Sequence, residues 1–184
     1  MDLIATDMPS RPNASASGNY IEYSNGTCDL GEIAIARSSV GICAILFGSD
    51  ANELRRDLAT CFPNSKLTLN DGRLRDDLSK VVRFVAAPKA GFDLALDMRG
   101  TPFQLRVWHA LRTIPFGRPL TYAQLARRVS GSKSLPAIAQ ACAENPIALA
   151  IPCHRVMGHS GSTAGYRWGV ERKRTLINRE VAAA

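Results

Sequence analysis

The sequence Ile-Pro-Cys-His-Arg-Val at residues 151–156 places a thiol beside an imidazole, directly after an apolar and strand-like run. A free cysteine is mostly protonated at neutral pH and reacts as its thiolate, so a neighbouring base or cation turns it into a strong nucleophile. The alternative is that Cys153 is a small buried hydrophobic residue and His154 a core histidine. The rest of the chain has to decide between these two interpretations.

The composition fits a globular protein without a membrane segment. Its 184 residues, 46% of them hydrophobic, suffice for one ordinary domain or two small ones. No run approaches the roughly 18 apolar residues of a membrane span, and the N-terminus lacks the basic-then-apolar order of a signal peptide. We therefore expect a cytoplasmic protein with no membrane partner. The five cysteines contain no Cys-x-x-Cys pair, which argues against a disulfide framework and a clustered zinc site, and we expect neither metal nor cofactor.

Positive charge is concentrated in the second half of the chain. Residues 1–100 carry 11 Lys and Arg against 13 Asp and Glu, whereas residues 101–184 carry 12 against 3. A basic half favours a polyanion as partner, because neutralised phosphates release their counterions. A merely solvated basic surface is the alternative.

The first half has the pattern of a small α/β unit. Residues 1–18 predict a flexible tail. Asp50 to Glu53 is a capping box for a helix that runs to about Cys61, and a second helix ends before Pro88. Strand-like segments lie at Tyr20–Tyr23, Glu32–Arg37, Gly41–Phe47 and Phe92–Leu96, with turns at Asn25-Gly26 and Ser38-Ser39.

The second half is predicted to be mostly helical. Thr101 and Pro102 form a helix start, and Thr121 can cap a second helix. Residues 130–132 break that helix, and residues 136–144 form another. A helix, a turn and a helix in a basic region are typical of DNA-binding proteins. The last of these helices is rich in alanine, so its backbone can approach DNA closely, but it lacks long side chains that could read bases.

Several motifs together point to one family. The chain resembles the 6-O-methylguanine-DNA methyltransferases, in particular the methyltransferase half of bacterial Ada proteins, over roughly residues 20–181. The motifs are PCHRV at 152–156, TPFQ at 101–104 with VW at 107–108, IPFG at 114–117 with LTY at 120–122, NP at 145–146, and GYRWGV at 165–170.

The resemblance implies an α+β fold with two domains. Residues 19–98 would be a small ribonuclease-H-like α/β domain, and residues 99–184 a mostly helical catalytic domain of the winged or helix-turn-helix type that binds DNA. The implied activity is DNA repair by irreversible, stoichiometric transfer of the methyl group of 6-O-methylguanine to Cys153 after base flipping, with 4-O-methylthymine as a second candidate substrate. The implied partner is double-stranded DNA containing 6-O-alkylguanine, bound through the minor groove by a monomer.

The resemblance also assigns roles to residues. Cys153 would be the nucleophile, His154 its base through a water molecule, and Glu180 the carboxylate that orients His154, with Glu171 as the competing candidate. Tyr122 would lie near the 3′ phosphate and donate a proton to the leaving guanine, and Asn145 would be a hinge. Val156, Tyr166, Arg167 and Trp168 would form the base pocket with Tyr122. The residues expected to contact DNA are Thr121, Tyr122, Arg128, Lys133, Leu135, Pro136, Ala137 and Gln140.

Pro136 departs from the family pattern, which has at this position an arginine finger that fills the space left by the flipped base. Proline cannot make the finger's hydrogen bonds, although an apolar wedge of Leu135 and Pro136 could hold the gap by shape. A lesion sensor or transcriptional regulator that binds DNA without transferring alkyl groups is therefore an alternative. A cysteine hydrolase is another, but it needs an oxyanion hole that the sequence does not indicate.

Overall fold

The first half of the chain forms a four-stranded sheet with two helices packed against it. The computed structural model describes residues 20–91, 93–129 and 134–184, so the predicted tail lies outside the described residues. The strands follow the order β3-β2-β1-β4, antiparallel except for the parallel pair β1 and β4. The elements are β1 (Tyr20–Cys28), β2 (Gly31–Arg37), β3 (Ile42–Gly48), α1 (Ala51–Cys61), β4 (Lys66–Leu69) and α2 (Asp71–Ala86).

The predicted turn at Asn25-Gly26 is wrong, because both residues lie within β1. Gly26 pairs with Ile33 of β2, and the chain turns between Cys28 and Gly31 instead. A Cβ at this position would lie 2.9 Å from a terminal methyl group of Leu78 on α2, so a larger residue would force that side chain to shift. Gly26 thus allows α2 to pack closely on the sheet and does not mark a turn.

The second predicted turn is confirmed, and the predicted strand at Phe92–Leu96 is not. Ser38 donates its backbone N–H to the carbonyl of Gly41 at 2.9 Å. Leu96 makes only a single bridge, with Ile42 of β3, and Phe92 lies outside the described residues. Strand β4 was not predicted.

The helix boundaries of the first half agree with the sequence pattern. The Asp50 carboxylate accepts hydrogen bonds from the backbone N–H groups of Asn52 and Glu53. The Glu53 side chain reaches back to the backbone of Ser49 and not of Asp50, so the capping box is displaced by one residue. Helix α1 ends at Cys61 and α2 ends at Ala86, as predicted.

In the described residues, the second half contains four α-helices, short 3₁₀ turns and one short parallel strand pair. Both predicted caps are confirmed, since Thr101 and Thr121 each form a capping box with a glutamine three residues later. Helix α5 begins one residue earlier than predicted, after the N-cap Ser134, and the predicted break at 130–132 lies outside the described residues. The elements are α3 (Pro102–Arg112), β5 (Leu120–Thr121), α4 (Tyr122–Arg128), α5 (Leu135–Ala143), β6 (Val156–Met157) and α6 (Val170–Ala183).

Backbone hydrogen bonds attach the segment before Cys153 to the sheet. Ile45 of β3 donates its N–H to the carbonyl of Pro146 at 2.9 Å and accepts the N–H of Ala148 at 3.0 Å. From α6, Arg172 donates to the carbonyls of Leu30 and Gly48. The two halves thus meet along β3 and α6. Among the described residues, no helix is long and apolar enough to cross a membrane.

Candidate active site

Cys153 and His154 lie in a tight 3₁₀ turn, Cys153–Arg155, at the centre of the second half. Cys153 is 4% exposed and His154 is fully buried. Four residues earlier, Leu149 adopts a left-handed conformation with φ of 69°, which is costly for a residue with a branched side chain. The surrounding packing therefore holds the backbone before this turn in a sparsely populated conformation, as is common near reactive side chains.

Asn145 fixes the turn through hydrogen bonds at both ends of its amide. Its Nδ2 donates to the Ile151 carbonyl at 2.9 Å and lies 3.3 Å from Sγ of Cys153. Its Oδ1 accepts the N–H of Ile147 at 2.9 Å. Because the side chain is fully buried, these bonds are not exposed to competing water. The amide therefore both shapes the turn and provides a donor to the sulfur.

Glu180, on the last helix α6, is hydrogen-bonded to the side chains of both His154 and Arg155. Its Oε1 lies 2.8 Å from Nε2 of His154, and Arg155 donates to both carboxylate oxygens at 2.7 and 3.0 Å. Burial alone raises the pKa of Glu180, but the hydrogen bonds from these two side chains hold it at about 2. The competing candidate Glu171 is exposed and pairs with Arg174. Of the two carboxylates, the structure thus brings Glu180 to His154.

The resting state of the Cys153 and His154 pair is neutral. Burial raises the pKa of Cys153 to about 11, against the lowering effects of Asn145 and Lys173. Burial also lowers the pKa of His154 more than Glu180 raises it. Because Nε2 faces a carboxylate, the ring proton belongs on Nε2, and Nδ1 remains an acceptor with no partner among the described residues.

An apolar cavity of about 310 Å³ opens between α4 and α5. Tyr122 is half-buried in its wall, and burial raises the pKa of its hydroxyl to about 12, so the phenol is protonated at neutral pH. The remaining lining residues are Thr121, Ala123, Leu135, Pro136, Ala139 and His159.

Two of the other residues predicted for the base pocket, Tyr166 and Trp168, belong to an aromatic cluster. The rings of Tyr166 and Trp168 meet edge-to-face at 5.2 Å, and Phe47 of β3 packs on Trp168 at 6.3 Å. Arg167 is exposed, with its guanidinium 5.7 Å from the Trp168 ring. Val156 is fully buried in β6. None of these four predicted residues lines the cavity.

The described residues predicted to contact DNA lie at the N-cap of α4, on α4 and along α5. Leu135 is 48% exposed, and Pro136 beside it is also exposed in the first turn of α5. Gln140 is exposed and donates to Glu144, while Arg128 is exposed at the end of α4. Thr121 and Ala137 are partly buried, and Lys133 lies outside the described residues. The tip of α5 is therefore an apolar projection beside the cavity.

Comparison with known proteins identifies the family. The profile described as "6-O-methylguanine DNA methyltransferase, DNA binding domain" matches residues 102–182. The Mycobacterium bovis methylated-DNA–protein-cysteine methyltransferase is 39% identical over 117 residues, covering 64% of this chain and 71% of the relative. The crystal structure of Mycobacterium tuberculosis OGT in complex with DNA has a TM-score of 0.74 and 30% identity, covering 89% of this chain and 94% of that one. The chain belongs to the 6-O-methylguanine-DNA methyltransferase family.

Within this methyltransferase family, the chain is also similar to a longer protein. The bifunctional transcriptional activator and DNA repair enzyme Ada of Escherichia coli K12 is 42% identical over 160 residues, which are 87% of this chain. The chain spans 45% of the length of that Ada protein. The mixed α and β fold is that of the solved methyltransferases.

Lys173 is a residue of the candidate site that the sequence interpretation missed. It is fully buried on α6, and its Nζ lies 5.9 Å from the centre of the Tyr122 ring. A signal was present, because Lys173 lies three, four and seven positions before Leu176, Ile177 and Glu180, on one face of the helix. Elsewhere in the described residues, no group of three or more His, Cys, Asp or Glu could hold a metal ion.

Proposed function

We propose that the chain is a DNA repair protein that transfers the methyl group of 6-O-methylguanine to Cys153, irreversibly and once per molecule. The observation that carries this proposal is the linked series of Asn145, Cys153, His154 and Glu180, in which a donor, a thiol, a base and a carboxylate are all buried together. The name of the Mycobacterium bovis relative, methylated-DNA–protein-cysteine methyltransferase, supports the same chemistry.

The proposed reaction begins with ionisation of the thiol. The proton of Cys153 passes through a water molecule to Nδ1 of His154, and Glu180 stabilises the resulting imidazolium. The thiolate attacks the methyl carbon in line, so the S–C bond forms as the bond from carbon to O6 breaks. The Tyr122 phenol donates its proton to the departing guanine, and the proton that His154 took from the thiol returns to the phenolate, so that guanine, phenol and imidazole all end neutral. The product thioether has no easy hydrolytic exit, so each molecule acts once.

The target base must leave the duplex to reach Cys153, which costs a few kcal/mol. We propose that α5 approaches the minor groove, with the basic second half neutralising phosphates, and that the cavity beside Tyr122 and the neighbouring aromatic cluster receive the flipped base. The relative solved in complex with DNA supports this partner. The proposal includes a ribonuclease-H-like domain at 19–98, a winged or helix-turn-helix domain at 99–184, and a cytoplasmic monomer. Methylated thymine remains a second candidate substrate.

The first expected result is a single methyl group on Cys153. The protein is incubated with duplex DNA that carries one 6-O-methylguanine and then analysed by intact-mass and peptide mass spectrometry. We expect an increase of one methyl per protein, located on Cys153 and saturating there, and no increase in a Cys153→Ser variant. If the wild-type protein binds the lesion but gains no mass, it is a sensor or regulator and not a methyltransferase.

The second expected result concerns Pro136. We expect Pro136→Arg to raise the rate of transfer from duplex DNA by about ten- to a hundredfold, because a charged donor to the orphaned base contributes about 1.5–3 kcal/mol. Pro136 is exposed in the first turn of α5, so an arginine side chain at this position would project away from the core. Transfer from single-stranded DNA, which leaves no orphaned partner base, should not change.

Pro136→Lys is the matched control for this experiment, because it adds the same charge without the forked donors of arginine. We expect lysine to give a smaller increase. Equal rates for the wild-type protein and Pro136→Arg on duplex DNA would show that the apolar tip of α5 already fills the gap.

A further inference from the structure

Helix α5 and its C-cap carry no positive charge, although they belong to the basic half of the chain. The residues of α5, Leu135–Ala143, include neither Lys nor Arg, and the C-cap is Glu144. Pro136, Gln140 and Glu144 are all exposed and are spaced four apart, so they lie on one face of the helix, the α5 face. Two of the three, Pro136 and Gln140, are residues expected to contact DNA.

Glu144 has no cationic partner in the part of the chain that the structure describes. Its two carboxylate oxygens accept hydrogen bonds from Gln104 of α3 and Gln140 of α5, each at 2.5 Å, and both donors are neutral amides. The other two acidic residues of the second half, Glu171 and Glu180, each form an ion pair with an arginine. Glu144 therefore places an uncompensated negative charge on the α5 face.

Folding does not require a negative charge at this position. The carbonyl groups at the C-terminal end of a helix carry partial negative charge, so an acidic residue at the C-cap is mildly unfavourable. A neutral acceptor such as glutamine could also bind one of the two amides. Arg99 lines a cavity of about 280 Å³ together with Glu144, but its guanidinium pairs with Asp97 at 2.6 Å. The charge of Glu144 therefore acts mainly on whatever approaches the α5 face.

Building on the proposed contact of α5 with DNA, we propose that Glu144 limits the affinity of the chain for undamaged duplex DNA. The cations of the second half attract phosphates without regard to sequence. A carboxylate on the approaching face repels the same phosphates, most strongly at low salt, where charges interact over longer distances. Glu144 thus opposes part of the attraction, so that the protein leaves undamaged sites more readily and can search further DNA.

The test measures binding of the full chain to a short, undamaged duplex with a fluorescent label, by fluorescence anisotropy at several salt concentrations. We expect Glu144→Gln to bind about three- to tenfold more tightly at low salt, because a unit charge then still acts on phosphates roughly 10 Å away. The plot of log affinity against log salt concentration should become steeper by up to about 0.9, the value for one phosphate contact.

Glu144→Lys separates the charge of the carboxylate from its hydrogen bonds. If the charge decides, the affinity rises in the order Glu, Gln, Lys at this position, because lysine reverses the charge. If the carboxylate serves only to join α3 to α5, lysine should lower the affinity, because it cannot accept the amide N–H groups of Gln104 and Gln140.

Asp76→Asn is the matched control for these variants. It removes the same charge at an exposed position on α2, in the first half of the chain. We expect its affinity to stay within about twofold of the wild-type value, because exposed charges beyond a Debye length are largely screened.

Equal affinity and salt dependence for the wild-type protein and Glu144→Gln would overturn the proposal, as would a lower affinity of Glu144→Lys. The duplex carries no methylated base, so these results do not depend on methyl transfer. A chain that shows the expected order of affinities but takes no methyl group from 6-O-methylguanine would overturn the proposed function alone. A chain that does not bind duplex DNA would overturn both.

Discussion

Replacing His154 with glutamine is expected to slow methyl transfer from DNA to Cys153 by about 10²–10⁴-fold at neutral pH, the range for loss of a general base. Glutamine keeps a hydrogen-bond donor for Glu180 but cannot accept the thiol proton. With a pKa of about 11, Cys153 is almost entirely a thiol at neutral pH. In the variant, only the small fraction of protein molecules whose Cys153 is ionised can therefore react. Single-turnover rates, followed by peptide mass spectrometry, measure the loss.

The pH dependence separates this effect from misfolding. In His154→Gln, the thiolate fraction and hence the rate should rise about tenfold for each unit of pH between neutrality and about 9, far below the pKa. The wild-type profile should be flatter, because His154 accepts the thiol proton during the reaction and the rate does not depend on prior ionisation of the thiol. His109→Gln, at an exposed position on α3, is the control and should behave as the wild-type protein. A His154→Gln variant with the wild-type rate and profile would exclude His154 as the base.

Replacing Glu180 with glutamine is expected to lower the free energy of unfolding by about 3–5 kcal/mol, the usual cost of removing one partner of a buried ion pair. The carboxylate accepts hydrogen bonds from His154 and Arg155, and its loss leaves the guanidinium of Arg155 in a largely buried position without a counter-charge. Urea unfolding at neutral pH, followed by circular dichroism, measures the change.

Glu171→Gln is the matched control, because it makes the same substitution on α6 at an exposed position and should change stability by less than about 0.5 kcal/mol. The pH dependence has a definite sign. The folded-state pKa of Glu180, about 2, lies below its ordinary value of 4.5. The contribution of the ionised Glu180 carboxylate to the free energy of unfolding is therefore complete above pH 4.5 and is lost as the pH falls toward 2. An equal decrease in the free energy of unfolding in Glu180→Gln and Glu171→Gln would contradict the assignment of Glu180 as the buried partner of His154 and Arg155.

The sequence predicts those features that depend on local chemistry. Thr101 and Thr121 mark helix starts because their hydroxyl groups cap the first turn wherever the helix lies in space. The choice of Glu180 over Glu171 follows from the family motif and the helical repeat, and in the folded chain Glu180 faces His154.

Features that depend on distant contacts were not predictable. Gly26 looks like a turn residue, but its role is to leave room for Leu78, which is 52 residues away in the sequence. Strand β4 has only four residues, and its pairing with β1 decides its conformation. Lys173 has the spacing of a core position, but a lysine in a basic segment is ordinarily solvated, and only the packing of α4, α5 and α6 shows that it is enclosed.

The attachment of the catalytic segment to β3 has a consequence for how this chain tolerates mutation. Ile45 binds Pro146 and Ala148 through backbone hydrogen bonds. The side chain of Arg172 donates to the backbone carbonyl oxygens of Leu30 and Gly48, so on the side of the first half these contacts too are made by peptide groups. Every amino acid except proline supplies the same peptide groups. Exposed side chains of the first half can therefore be replaced without loss of these hydrogen bonds, whereas the buried side chains of β3 remain constrained by the core.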